Sequence, residues 1–548
     1  MKKIIAFISS MMMVLLIARA TLLYSSIPPE EREALIALYK ATNGDKWKDN
    51  SGWKDELLES DDFGSFGSEG NWKGITISGN HVTKIELYFN DLKGFLPPEL
   101  GNFIHLEELI ISDYRFTGGI PPEIGKLNNL KVLRLECLDL GGRLPPELGQ
   151  LTNLKELDIH SNELRGRIPV ELGNLSNLET LKLDIPNLEG SIPPELGNLG
   201  YLKTLQVGNI YVFPTGGAEA QSDLSTFAVI NHSISGGIPP ELGKLNSLKE
   251  LILNYTELSG SIPPQLGKLS NLEMLRLNHN RLTGIIPPEL GNLLNLKELD
   301  LSGNRFNDVI PPELGKLTSL QTLRLVGSHL IGSIPAELGN LTGVQDINLS
   351  SNELEGSIPP ELGNLTNLQY LWLQYNQLSG PITPELGNLP RLQQLQLQGN
   401  RLSGSIPINL TGLHVYLLDI SYNGLYAAET EVQQWLDRRQ SDWSTTQTTA
   451  PTNLSAVPIS SSSIKVSWAP IKYKEDKGGY EVYFSTTPRG PWLDAGMTAN
   501  KLTNFFEITA LSPGKKYYFV VQTRTDPHIK NKNTVVSEYS KVVSAAAK

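Results

Sequence analysis

A single cysteine, Cys137, occurs in 548 residues, so the chain forms no internal disulfide, and exposure to an oxidising compartment is permitted without being exploited. Long apolar runs are missing as well. The one candidate, residues 4–17, is shorter than the roughly 20 residues a membrane-spanning helix needs. Catalytic signatures are also missing: there is no nucleophile elbow, zinc motif, phosphate loop or glycine-rich nucleotide fingerprint, and none of the 8 histidines sits in a recognisable catalytic context. Those absences exclude the common hydrolase, kinase and nucleotide-dependent classes, and no cofactor or metal is expected.

Basic charge is in short supply, and its distribution is uneven. Residues 1–20, MKKIIAFISSMMMVLLIARA, combine a Lys2-Lys3 start, the apolar run and an Ala18-Arg19-Ala20 end, the pattern of a signal peptide cut after Ala20. Without that segment, 44 basic residues face 58 acidic ones, a formal charge of −14. Residues 451–548 carry +6 of their own, which leaves −20 on residues 21–450. Nucleic acid is therefore not an expected partner of the acidic part. The mature chain is expected outside the cell, at its surface or in a periplasm, with no transmembrane anchor.

What the chain has in abundance is a repeat. The segment LEMLRLNHNRLTGIIPPELGNLLN, residues 272–295, is its clearest copy, with apolar residues at positions 1, 4, 6, 11, 15, 19 and 22, Asn at 9, Gly at 13 and Pro at 16 and 17. Copies begin at Val82, Leu106, Leu130, Leu154, Leu178, Leu202, Leu224, Leu248, Leu272, Leu296, Leu320, Val344, Leu368, Leu392 and Val415, 24 residues apart except for spacings of 22 after Leu202 and 23 at the end. This period predicts a solenoid, because one such unit cannot bury its own apolar edge and is stable only in a stack. LxxLxL reads as a short strand with inward leucines, and the Asn amide at position 9 as a bridge between backbones of adjacent coils. The prolines of LxGxIPP lack an N–H and end the ladder, and ELGxL reads as a short helical turn. The 49 Gly and 35 Pro thus mostly occupy fixed repeat positions rather than marking disorder.

These residues resemble the plant-type leucine-rich repeat of receptor-kinase ectodomains and polygalacturonase-inhibiting proteins. Residues 21–81, with the helix candidate EEREALIALYKATNG, Trp47, Trp53 and the NWKGI at 71–75, resemble the N-terminal cap of that class. The paired cysteines usual in plant caps are missing, so aromatic packing must hold this one, and the combination resembles secreted bacterial or microbial repeat proteins. The resemblance implies an α/β solenoid over residues 82–425, a leucine-rich-repeat horseshoe or superhelix with a parallel β-sheet on its concave face. Residues 426–450 read as a capping helix, with Ala428, Val432, Trp435 and Leu436 at helical spacing, followed by a polar linker. Beyond it SIKVSW, GYEVYFS and KYYFVVQT alternate as strands, and Trp468, Leu511, Pro513, Gly514 and Tyr517 match the buried tryptophan and tyrosine corner of a fibronectin type III sandwich, residues 451–548.

By strand alternation, positions 2, 3, 5, 7 and 8 point out of the sheet, and a ligand should be sought there. One patch gathers Tyr370, Trp372, Gln374 and Tyr375 beside Gln394, Gln396 and Gln398, with Asp346 and Asn348 on the preceding strand. Aromatic area ringed by amide donors and acceptors suits an extended protein or polysaccharide ligand. A secondary candidate is the mixed-charge strip Arg134, Asp158, His160, Lys182 and Asp184, continued by Asn254, Tyr255, Arg276 and His279. His160 with the two aspartates lacks a third fixed ligand or a nucleophile, so neither metal binding nor acid-base chemistry is expected there.

Position 9 keeps Asn in eight copies and loses it mainly in the first half, at Tyr114, Leu138, Pro186, Ile210, His232 and Thr256, which predicts looser turns there. Cys137, at position 8, is expected to be an inert thiol. The copy at Leu202 replaces the proline segment by VFPTGGAEAQSD, residues 212–223, read as repeat decay or a recognition loop. Together these features predict an exported, non-catalytic recognition protein working through its concave face. An adhesion scaffold is the alternative, as is an inhibitor of a foreign hydrolase, the latter by analogy with the polygalacturonase-inhibiting proteins.

Overall fold

The structure is a computed structural model that describes residues 27–54, 62–113, 115–208 and 233–548. The leader, the position-9 residues Tyr114, Ile210 and His232, and the stretch 212–223 lie outside the described residues. The chain divides into two compact units, residues 1–282 and 283–548.

The first unit opens with the helix Pro29–Ala41, which starts on a proline and places Leu35, Leu38 and Tyr39 inward. Tyr39 packs against Trp47, Trp53 and Phe63 with ring centroids 5.1–5.4 Å apart, and Trp53 against Trp72 at 4.8 Å. This cluster does the work of the missing disulfides. A buried ion pair between Arg32 and Glu69 adds to it. At the junction with the first coil, Glu31 accepts the main-chain N–H of Val82 at 2.7 Å.

Coil strands then follow in parallel and in register, Leu109 opposite Leu133, then Leu157, then Leu181, each wholly buried. This is the inward leucine ladder that the LxxLxL spacing predicts. In the second unit six strands, Glu298–Asp300, Thr322–Arg324, Asp346–Asn348, Tyr370–Trp372, Gln394–Gln396 and Leu417–Asp419, pair in the same way. The segment just before the prolines forms a second, shorter parallel ladder in this unit, from Ile331–Ser333 to Gly424–Tyr426. ELGxL forms a 3-10 turn, as at Pro360–Asn364. Its glycine is fixed by close approach: a Cβ on Gly363 would lie 2.4 Å from the main-chain oxygen of Glu385 in the next coil.

Two kinds of turn leave the strands, which the uniform period does not reveal. In the coils with strands Glu108–Ser112, Val132–Glu136, Glu156–His160 and Thr180–Asp184, alternation simply continues, and position 8 points inward. Asp113, Cys137, Ser161 and Ile185 are accordingly buried, which corrects the expectation that position 8 faces out. The N–H groups of Asp113, Cys137 and Ser161 extend the ladder, to the oxygens of Glu136 at 3.1 Å, His160 at 3.0 Å and Asp184 at 3.1 Å. These turns therefore have hydrogen bonds of their own in place of the Asn bridge, and Asn162, at position 9, is left exposed.

From the copy at Leu248 onward position 8 is left-handed, with φ between 54° and 70° at Tyr255, His279, Gly303, Gly327, Ser351, Tyr375, Gly399 and Tyr422. That reversal turns position 9 inward. Asn376 then donates to the oxygens of Leu349 and Leu373 at 2.9 and 3.1 Å and accepts from the N–H of Leu354 at 3.1 Å. A left-handed non-glycine residue costs on the order of 1–2 kcal/mol. Three buried hydrogen bonds at about 1 kcal/mol each offset it.

The solenoid ends on the helix Thr430–Arg439, which buries Val432, Trp435 and Leu436, while Ala428 precedes it and is exposed. Where the sequence suggests a polar linker, Thr446, Gln447 and Thr448 are buried. Gln447 continues the Asn ladder by one coil, donating to Ile420 O at 2.9 Å and accepting from Leu425 N at 3.1 Å.

The C-terminal module is a sandwich of two antiparallel sheets. One comprises Thr452–Pro458, Ile464–Ala469 and Phe505–Ile508. The other comprises Gly478–Ser485, Leu493–Met497, Lys516–Thr525, Val535–Val536 and Val543–Ala546. Trp468 is in the core, and Tyr517 accepts the N–H of Ser512 at 3.0 Å, the tyrosine corner. Within the second unit this module rests on the last coils. Asn531 donates to the oxygens of Asn400 and Tyr422, Asn533 to those of Asn376 and Gly399, and Tyr422 packs edge-on against Tyr473 and His528. Among the described residues no helix is long and apolar enough to cross a membrane.

Candidate functional site

Tyr370 and Trp372 occupy positions 3 and 5 of one strand, flanking the buried Leu371, so alternation turns both rings outward from the sheet. They stack with centroids 5.6 Å apart at 29° and remain half-buried. The next strand supplies Gln394, whose oxygen accepts the Trp372 indole N–H at 3.0 Å and whose amide donates to the hydroxyl of Tyr416. Gln394 thus links two aromatic side chains, Trp372 and Tyr416, from the coils on either side of its own. Burial pushes the Tyr370 phenol up from its ordinary value, and Tyr416 adds to the shift.

Tyr416 is 63 % exposed and is absent from the residues that sequence reasoning singles out. The signal existed: it stands at position 2, one of the outward positions, in the last copy. The glutamines correct the expectation in the opposite sense. Gln374, Gln394, Gln396 and Gln398 are all buried rather than forming an open polar ring. Long amides lie along a sheet whose strands are about 4.8 Å apart and bond one another, as Gln398 does to Gln396 at 3.3 Å. The accessible part of this face is aromatic.

On the side of lower residue number the patch borders a charged column. Arg324 donates to Asp346 at 2.6 Å, and Ser302 N–H to Asp300 at 3.0 Å. Burial raises the carboxyl pKa of both Asp300 and Asp346, with Arg324 opposing the shift. Burial would lower the Arg324 guanidinium, but Asp346 reverses that, and the net shift is upward. Asp346 Oδ1 and Gln398 Oε1 have no hydrogen-bond partner among the described residues. Tyr375, at the left-handed turn of the Tyr370 coil, is 47 % exposed at the sheet's edge, apart from the Trp372 stack.

The secondary candidates lie in the first unit, and their charges are largely turned on one another. Arg134 binds Glu156 through two nitrogens and stands 3.8 Å from Asp158; His160 is 3.8 Å from Asp184. Lys182 and Arg134 hold the Asp158 carboxylate against burial, which nonetheless raises its pKa. Tyr255 stacks on His279 at 4.6 Å and 12°, and Arg276 lies on the adjacent strand, Met274–Arg276. Among the described residues no three His, Cys, Asp or Glu side chains are grouped to hold a metal.

Comparison with known families gives the frame for this face. The leucine-rich repeat region profile matches residues 86–224 and 287–459, more than half of the chain. The chain belongs to the leucine-rich repeat family. The shorter leucine-rich repeat profile matches residues 247–269 and 271–293 of this repeat chain, and the fibronectin type III domain profile matches residues 449–537. No curated protein sequence matches it significantly.

Among solved structures, this leucine-rich repeat chain is similar to PEPR1-AtPEP1, with 28% identity and a TM-score of 0.62 over 77% of this chain and 54% of that one. It is similar to the plant peptide hormone receptor RGFR1 in complex with RGF2, with 31% identity and a TM-score of 0.53 over 65% of this chain and 61% of that one. It also resembles the ectodomain of the Arabidopsis thaliana receptor kinase GASSHO1/SCHENGEN3 in complex with CASPARIAN STRIP INTEGRITY FACTOR 2, with 28% identity and a TM-score of 0.53 over 72% of this chain and 50% of that one. The chain spans about half to three-fifths of the length of these proteins.

Proposed function

We propose that this chain is an exported, non-catalytic recognition protein that takes an extended peptide or protein segment on the outward face of its coil sheet, centred on Tyr370, Trp372 and Tyr416. The observation that carries this reading is the Gln394 hub. One buried amide holds Trp372 and Tyr416 from the two flanking coils, and Tyr370 stacks on Trp372, which gives apolar area at low entropic cost on binding. Asp346 and Arg324 beside it supply orienting charge of both signs.

Two neighbours support a peptide rather than a sugar, since RGFR1 is a peptide hormone receptor and GASSHO1/SCHENGEN3 is bound to an integrity factor. Export rests on the signal-like pattern of residues 1–20. The test is capture of residues 21–548 on a mixed peptide, protein and glycan array, beside a Trp372→Ala, Tyr416→Ala double variant. Peptide or protein capture that the variant loses while its thermal unfolding is retained supports the reading; capture indifferent to the variant, or capture of glycans alone, refutes it.

A further inference from the structure

A second concave feature of the second unit lies at the edge of the coils, away from the Trp372 stack. A cleft of about 540 Å³ opens between the turns at Ser351, Tyr375 and Gly399 and the loop 528–533 of the C-terminal module. Its volume falls within the ~300–1,000 Å³ typical of ligand sites.

The loop side of the cleft is rigidly held. His528 and Asn531 exchange two main-chain hydrogen bonds, at 2.8 and 3.2 Å, closing a tight turn. The side chains of Asn531 and Asn533 clamp that turn to carbonyl oxygens of the coils at 2.6–3.2 Å. At the tip, Ile529 is 95 % exposed. An exposed aliphatic side chain is ordinary by itself. Here it stands on a turn fixed by six hydrogen bonds, so a partner meeting it would order little of the protein.

The cleft carries a net positive charge. Arg401, Lys530 and Lys532 line it against one carboxylate, Glu353, which stands 3.8 Å from His329. The Arg401 guanidinium is oriented by a 2.9 Å bond to Gln377, and the Lys530 ammonium lies 5.3 Å from the Tyr422 ring centroid. On the coil side the Tyr375 ring fits against Gly399, where a Cβ would come within 2.7 Å of it.

We infer that this cleft is a binding site for an acidic peptide segment carrying an aliphatic side chain, formed jointly by the coils and the C-terminal module. The aliphatic group packs on Ile529 and Tyr375, and flanking carboxylates meet Arg401, Lys530 and Lys532. The site is independent of the Trp372 face and stands or falls separately from it.

The probe is a short fluorescent peptide of Glu and Asp around one central Leu, titrated by anisotropy against residues 21–548 at physiological salt. Saturable binding is expected, weakened roughly tenfold or more by Lys530→Gln with Lys532→Gln and several-fold by Ile529→Ser, and unchanged by Trp372→Ala. Those three side chains are exposed, so their variants should fold as the parent does. The inference is overturned by an absence of saturable binding, by equal affinity in the loop variants, or by equal binding of a peptide with Ser in place of Leu, which would mark a simple polyanion contact.

Discussion

Asn533 of the fibronectin type III module donates its side-chain amide to the main-chain oxygen of Asn376, 2.6 Å away and 157 residues earlier in the chain. The same amide reaches Gly399 O at 3.2 Å, and Asn531 serves Asn400 and Tyr422 likewise. The module is thereby fixed to the last coils rather than spaced from them. Replacing both asparagines by Ala should leave buried carbonyl oxygens without these donors and cost about 1–3 kcal/mol per site. Hydrogen exchange is expected to accelerate around residues 526–536, and unchanged exchange there would contradict the clamp.

The two turn types make a sharper prediction. Asn376→Ala removes the buried hydrogen bonds to Leu349 O and Leu373 O and from Leu354 N, and should destabilise by roughly 2–3 kcal/mol in denaturant unfolding. Asn162→Ala, at the same repeat position but exposed, should fall within about 0.5 kcal/mol of the parent. Equal effects would mean that the coils share one turn.

This contrast also marks what the sequence makes legible. The leucine ladder, the cap aromatics, the capping helix and the sandwich are each carried by residues whose spacing states their role, as Leu371 and Trp468 do. The turn switch is not so carried, because Tyr255, His279 and Tyr375 adopt a left-handed conformation that side-chain type alone does not announce. Nor is the burial of Gln374 or of Gln447, since a glutamine reads as solvating surface until, as for Gln447, the Ile420 carbonyl one coil earlier is placed beside it. The clamp depends on two loop asparagines meeting main-chain oxygens, which carry no sequence signal at all. Tyr416, by contrast, was readable from its repeat position.

Cys137 is wholly buried, and burial pushes its thiol up to about 12. The native protein should not react with a thiol-specific disulfide reagent at pH 8, and should release one equivalent per chain on unfolding. Rapid native labelling would show that position 8 of that coil faces solvent after all.

Lys501 is buried over the Tyr473 ring, and burial lowers its ammonium pKa to about 8 against the pull of Asp476 and Asp526. The folded chain therefore sheds this proton near pH 8, while the unfolded chain keeps it to about 10.4. Between those values the unfolded state binds more protons, so this residue's contribution to stability rises with pH. Parent minus Lys501→Met stability, measured by denaturant unfolding from pH 7 to 9.5, should increase with pH; a flat or falling difference would contradict the assignment.

The central claim is that a ligand lies across Tyr370, Trp372 and Tyr416. Hydrogen exchange of residues 21–548, with and without a captured peptide ligand, tests it most directly. Protection is expected on the strands Tyr370–Trp372, Gln394–Gln396 and Leu417–Asp419 and should vanish in Trp372→Ala, Tyr416→Ala. Protection confined to the first unit, or an unchanged footprint in the variant, would contradict the account.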